Sequence, residues 1–368
     1  MSDIKSNFEP LIQYFEKSGY SPQVIEGRKI FKYFSSAEEE INSLNDGVGL
    51  RDISDSGIFE LEGKDVLDFI HRISTNSLKE LQANSIAQTI FTSEKGRIID
   101  SAVIINFDER QLLVCSRAHK FKIRSWIEKY IITDDVKIND TTGRYLLFEV
   151  LGPQADSFMT LVCGNAVNEI KLNKFKSVGS EGVLFYMARL KDRNGKLKFW
   201  LWLNPENGVR LVDFMLKNKG IFNFNLIGEE AYNVYRIIQG IPASPGEIND
   251  LYNPHEANLT DLVSFTKGCY IGQEVIARLD TYDKVQKHLT GVSFNAHVGE
   301  ASDFDLFDKA GNEAGKVTSF VYSQKCKKNI GLAYVRNAYL QSETELISKD
   351  KSGKTVKVIV ESLPFHKS

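Results

Sequence analysis

Lys267-Gly268-Cys269-Tyr270-Ile271-Gly272-Gln273-Glu274 sets a thiol between two glycines, with a lysine and an aromatic beside it. The run from Gln273 to Arg278 has helix-forming composition. The spacing therefore predicts strand or loop, tight turn and helix N-terminus over 265–278. Unpaired N–H groups and the positive end of such a helix, together with Lys267, favour thiolate, the reactive form of cysteine, at Cys269. The competing reading is a small buried cysteine packed under a turn, with Glu274 and Arg278 as an ordinary i,i+4 pair.

The remaining chemistry-bearing residues are scattered. Cys115, Cys163 and Cys326 form no Cys-x-x-Cys or Cys/His cluster with Cys269, and no histidine falls in a metal-binding spacing. A private zinc or iron–sulfur site is not expected, and reduced thiols in a cytoplasm fit best. His71, His119 and His288 read as surface or packing residues. A formal net charge of −2 gives no global field that would draw nucleic acid, so direct binding of that kind is not expected. No apolar run approaches the ~18–20 residues of a membrane span. Residues 1–6 carry neither an apolar secretory core nor an Arg-rich presequence. A monomeric cytoplasmic protein without membrane contact is the expectation.

Several elements must position these groups. Residues 7–20 carry a helical pattern through Phe8, Leu11, Ile12 and Phe15. Beyond a polar stretch, strand 57–61 leads through Gly63 into a helix over 64–73, and this unit recurs. Phe59-Glu60-Leu61-Glu62-Gly63 through Phe69-Ile70 aligns with Phe148-Glu149-Val150-Leu151-Gly152 through Phe158-Met159. Each copy then continues with a hairpin (101–107 with 112–115; 183–190 with 199–203) and a helix (118–130; 208–218). The reading is an internally duplicated α+β unit, with pseudo-repeats at about 48–145 and 146–240, and duplicated units often hold a ligand in the cleft between copies. A further helix over 228–239 stops at Gly240-Ile241-Pro242, and an irregular loop over 250–262 precedes the cysteine motif. From about 287, short alternating segments separated by turns predict a small all-β barrel or sandwich of about 80 residues. The expected division is 1–285 and 286–368.

Lys-Gly-Cys-Tyr-x-Gly-Gln-Glu resembles the signature of the YgfZ branch of the folate-binding, glycine cleavage T-protein-like superfamily. Val48-Gly49-Leu50-Arg51-Asp52-Ile53-Ser54 resembles the superfamily's opening segment, and Arg72-Ile73-Ser74-Thr75-Asn76 is similar to its Leu-Thr/Ser-Thr-Asn step. Arg236-Ile237 through Gly240-Ile241-Pro242 resembles its Arg-x-x-x-Gly-x-Pro helix end, and Glu256-Ala257-Asn258-Leu259 the YgfZ segment ahead of the signature. The resemblance implies a duplicated folate-binding region and a C-terminal β-barrel, three lobes around a central channel. It also implies tetrahydrofolate, or a one-carbon derivative, as cofactor.

The T-protein motif Gly-Gly-x-x-Asp-Asp corresponds to Lys95-Gly96-Arg97-Ile98-Ile99-Asp100-Ser101, which makes Asp100 the carboxylate that approaches the folate amine. Ser101 replaces the second acid. Trp200 stands where T-proteins place a pterin-recognising Glu; it either stacks on a pterin or packs in the core. Lys267 and Arg278 would tune the thiolate, bind the folate's glutamate tail or remain solvated, and Tyr270 and Gln273 join them as candidate folate contacts. The YgfZ resemblance implies a factor that supports assembly or repair of iron–sulfur clusters in client enzymes, tRNA-thiolating ones included, with Cys269 as the reactive residue. The alternatives are an aminomethyl- or methyltransferase of the T-protein type, and a folate-independent scaffold for tRNA-modifying enzymes.

Overall fold

The computed structural model describes residues 4–25, 27–282, 284–295, 304–349 and 355–365. All six residues of the strand Leu146–Leu151 are buried, as are five of six in Arg110–Cys115. Runs buried on both faces belong inside a sheet that is covered on both sides. Here that sheet has eleven strands, with Lys174–Ser180 and Ser85–Thr92 meeting at its centre. One half runs outward through Ile98–Asn106, Arg110–Cys115, Gly57–Glu62 and Lys137–Asp140. The other runs through Val183–Lys191, Leu197–Leu203, Leu146–Leu151, Val48–Asp52 and Phe224–Ile227. The halves share one paired position, Lys174 opposite Ser85.

Each half is covered on its outer face by its own helices. Helices Val66–Ile73 and Lys120–Tyr130 bury Phe69, Ile70, Ile123 and Ile127 against Phe59, Phe91 and Ile104. Helices Ala155–Cys163 and Gly208–Lys217 bury Phe158, Met159, Leu211 and Met215 against Phe148, Phe185 and Leu201. The inner faces then close on each other through Ile58, Ile105 and Val114 on one side and Leu147, Phe175, Leu190, Trp200 and Trp202 on the other. The turn from strand to helix needs glycine in both halves. Gly63 has φ +124° and Gly152 +111°, and a Cβ there would lie 1.9 Å from Asp135 O and 2.4 Å from Gly47 O respectively.

The stretch 37–46, polar in sequence, is a helix, Ala37–Asp46, with a capping box between Ser36 and Glu39. Its Glu40 is fully buried and accepts N–H bonds from Phe34, Ser35 and Gly228, which ties the N-terminal segment to the start of helix Glu229–Ile238.

Beyond the sheet, Lys287–Phe294, Lys328–Arg336, Glu313–Ser323, Phe304–Phe307, Glu345–Lys349 and Thr355–Glu361 close into a six-stranded antiparallel barrel. Strict alternation along Thr355–Glu361 sends Val356, Val358 and Val360 inward, where they meet Val292, Phe294, Leu306, Val335 and Leu346. An irregular connector over 242–258 holds the lobes together. Its Tyr252 stacks on Tyr334 of the barrel, with ring centroids 3.4 Å apart, and its backbone carbonyl accepts from Ile98 N in the sheet. Among the described residues no helix is long and apolar enough to cross a membrane.

Candidate functional site

Asp100 sits on strand Ile98–Asn106, opposite Phe91. The other neighbouring strand ends at Cys115, so the next N–H, that of Ser116, is free to donate to Asp100 Oδ2 at 2.9 Å. Ser244 Oγ of the connector donates to Oδ1 at 2.6 Å, and His119 Nδ1 lies 3.4 Å from the same oxygen. That His119 nitrogen is buried and makes no hydrogen bond. The carboxylate itself has no solvent exposure. It is therefore held by protein groups on both oxygens. Burial, aided by the Asp100 charge, pushes the adjacent Cys115 thiol well up, so that cysteine is no thiolate.

The cysteine motif forms a strap over the first half of the sheet. Helix Val66–Ile73 ends with carbonyls that lack helical partners, the usual condition of a C-terminus. Lys267 Nζ supplies them: it donates to Ser74 O at 2.7 Å, to Asn76 O at 2.8 Å and to His71 O. Burial pushes this ammonium down to about 7, while three carbonyl acceptors pull in the opposite direction. Lys267 thus clamps the strap rather than facing solvent. Ile271 completes the hold, donating to Arg72 O at 3.2 Å and accepting from Thr92 Oγ1 at 2.7 Å. Tyr270 is buried beneath, its hydroxyl pushed up to about 12 by burial, with Lys267 Nζ 4.9 Å from its ring centroid. Gln273 opens the helix Gln273–Tyr282 half-buried, and Arg278 lies exposed within it.

Cys269 itself is exposed, which removes the reading of a cysteine packed under a turn. It differs from Cys115, which is buried, and from Cys163, whose thiol burial pushes up to about 12. The Ser85–Thr92 strand that carries Thr92 pairs with the Asp100 strand, so strap and carboxylate lie on the same half of the sheet.

Trp200 belongs to the other half. It is 7% exposed, packed with Trp202, Ala188 and Leu190, and its Nε1 donates to Glu149 Oε1 at 3.2 Å. Of the two sequence alternatives it takes packing. Glu149 lies directly opposite both Trp200 and Arg51 on its two neighbouring strands. Lys198 Nζ reaches Glu149 Oε1 at 2.6 Å, and Arg51 Nη1 stands 3.7 Å from Oε2. Burial would push the Glu149 carboxyl up, but Lys198 and Arg51 more than offset it and hold the group below its ordinary value. Arg51 also covers the Tyr232 ring, its Cζ 3.5 Å from the centroid, while its buried Nε has no partner. Next along the strand, burial pushes Asp52 up to about 6 even though Ser54 donates to it through both N–H and hydroxyl.

Sequence reasoning singled out Asp100, Cys269, Lys267 and Trp200 but missed Ser244 and Ser116 as the partners of Asp100, and Glu149 as the partner of Trp200. Arg51 and Asp52 were visible only as part of the opening segment. Among the described residues no three His, Cys, Asp or Glu side chains are grouped to hold a metal.

Comparison with known proteins agrees with this architecture. Residues 6–267 match the GCVT N-terminal domain, and residues 295–367 the glycine cleavage T-protein C-terminal barrel domain. The chain is 28% identical over 340 residues to a putative chloroplastic transferase of Arabidopsis thaliana, covering 91% of this chain and 75% of that protein. It is 25% identical to an aminomethyltransferase of Staphylococcus carnosus, covering 94% of each chain. The crystal structure of the glycine cleavage system aminomethyltransferase T of Bartonella henselae superposes with a TM-score of 0.82 at 20% identity, over 97% of both chains.

Proposed function

This chain belongs to the glycine cleavage T-protein family, and on that premise we propose that it is a tetrahydrofolate-binding protein of the YgfZ branch, supporting assembly or repair of iron–sulfur clusters in client enzymes. The observation that carries this reading is the setting of Cys269: an exposed thiol on a strap fixed through Lys267 and Ile271. A rigid mount with an accessible sulfur suits a residue that must meet a partner's thiol or cluster.

The groups present fit a folate. A pterin is a flat ring edged with donors and acceptors, and the buried Arg51 Nε without a partner and the Glu149 carboxylate offer complementary chemistry. Arg51, Glu149 and Lys198 would hold the ring, and the folate would supply an amine nitrogen that carries a one-carbon unit. Asp100 would hold or relay a proton at Oδ1. Arg278 and Gln273, on the helix that follows the strap, are the proposed contacts for the rest of the ligand.

Two experiments test this. Cys269→Ser, correctly folded, is expected to lose rescue of a strain lacking such a factor; full rescue would remove the cysteine from the mechanism. Titration with 5-formyltetrahydrofolate, followed by tryptophan fluorescence, is expected to saturate in the wild type and to fail in Asp100→Ala. No binding at all would leave the folate-independent scaffold.

A second reading, a one-carbon transferase, is favoured by the full-length match to proteins named aminomethyltransferase. It predicts methylenetetrahydrofolate formed from an aminomethyl donor. Ser101 in place of a second acid weakens it.

A further inference from the structure

A carboxylate expected to meet a ligand amine is here fully enclosed, and what encloses it is unequal in kind. Ser116 N–H belongs to the backbone entering helix Lys120–Tyr130 and is anchored there, since Ser116 Oγ in turn accepts from His119 N at 3.2 Å. Ser244 is different. It lies 144 positions away in sequence, half-buried on the irregular connector, and its hydroxyl occupies Asp100 Oδ1 at 2.6 Å. Because Asp100 has no solvent exposure, an amine can reach Oδ1 only if a covering group moves aside, and Ser244 is the one carried by the irregular connector.

The connector around Ser244 is also bound to the barrel. Glu247, with no solvent exposure, accepts from Ala243 N at 3.0 Å through Oε2, which closes 243–247 into one unit. Its Oε1 accepts the hydroxyls of Thr318 and Ser319, each at 2.6 Å, and its backbone carbonyl accepts from Tyr334 Oη at 2.7 Å. Arg236 Nη1 donates to Oε2 at 3.0 Å. A shift of Ser244 thus pulls on contacts to two barrel strands.

We propose that Ser244 is a latch on Asp100: its hydroxyl competes with the ligand amine for Oδ1, and its displacement loosens the grip of 243–247 on the barrel. This rests on the folate reading above. Ser244 acts through Asp100 and is a positioning residue, not a catalytic one.

The competition has a sign that a purely structural role would not give. A hydrogen bond to a charged group that no longer competes should raise affinity by about tenfold or more. Calorimetry with 5-formyltetrahydrofolate, whose N10 amine is free, is therefore expected to show tighter binding in Ser244→Ala than in the wild type. In an Asp100→Ala background, where binding is expected to fail, the same change should not restore it, because Ser244 acts only through Asp100. Hydrogen exchange on the wild-type protein should show the amides of Ala243 and Glu247 and those of 317–319 losing protection when the ligand binds. If the wild type binds and Ser244→Ala binds equally or more weakly, the latch is wrong and the folate reading stands. If the wild type does not bind, both fall. Should Ser244→Ala fail to fold, unchanged protection at Ala243 and Glu247 in the liganded wild type overturns the latch on its own.

Discussion

Asp52 carries the clearest pH signature of any single group near the proposed ligand. In the folded chain it keeps its proton up to about pH 6, whereas the ordinary value is 3.8. The folded state therefore binds more protons between those limits, so the protonated group favours folding below the lower value and this contribution is lost as pH rises through the upper one. At pH 7 the buried charge costs at most about 3 kcal/mol. Asp52→Asn, whose amide oxygen can still accept from Ser54, is expected to be more stable than wild type at pH 7 and equal to it near pH 4 in urea unfolding. A difference that ignores pH would show that burial does not govern this carboxyl. Lys267→Met has the opposite direction. It leaves three carbonyls without their donor, for a loss of about 3 kcal/mol, and loosens the strap. Alkylation of Cys269 should then accelerate, with Cys269→Ser as the control that isolates this sulfur. The sequence showed the motif residues themselves, because their types are unusual at that spacing. It could not show that Lys267 caps a helix nearly 200 positions earlier, or that Ser244 meets Asp100, since both contacts join residues far apart in sequence that meet only in the folded chain.

At the level of elements, the duplicated strand, glycine and helix were legible because Gly63 and Gly152 punctuate matched apolar patterns, and the six barrel strands because each alternates between turns. The two central strands, Ser85–Thr92 and Lys174–Ser180, escaped. Lys174–Ser180 mixes Lys, Ser and Gly at positions that pair to another strand along one edge and at only one residue along the other. The helix Ala37–Asp46 escaped for a related reason: its inward face carries Glu40 and Ser43, polar groups satisfied by distant N–H donors or the local backbone. Gly272 shows what such an element can demand. It has φ +85°, and a Cβ there would lie 2.5 Å from Ser93 O. Gly272→Ala should cost about 2 kcal/mol or more and dislodge the strap. At Gly268 a Cβ would meet nothing within 4 Å, so Gly268→Ala should melt like wild type. Equal melting of both alanine variants would mean that the strap does not depend on its turn.

The whole molecule is joined through the connector, and Glu247 is its most committed residue. Four donors from the connector, helix Glu229–Ile238 and barrel strand Glu313–Ser323 converge on one fully buried carboxylate. Removing it leaves the buried Arg236 charge with neutral partners only and takes an acceptor from three further donors, a loss of about 3–5 kcal/mol by the behaviour of buried ion pairs that lose one partner. Much of that loss falls on the contact between lobes, not within either lobe, so cooperativity should suffer along with stability. The two can be observed separately because Trp126, Trp200 and Trp202, the three tryptophans of the chain, all lie in the sheet region, and none in the barrel. Tryptophan fluorescence therefore follows the sheet region alone, while circular dichroism follows both lobes. In the wild type the two signals are expected to change together in urea. In Glu247→Ala the dichroism should begin to change first, as the barrel loosens before the sheet, and the curves should part. Coincident curves in the variant would mean that Tyr252 on Tyr334 and the remaining contacts hold the lobes as one unit, and the barrel would then be too firmly seated for Ser244 to move it.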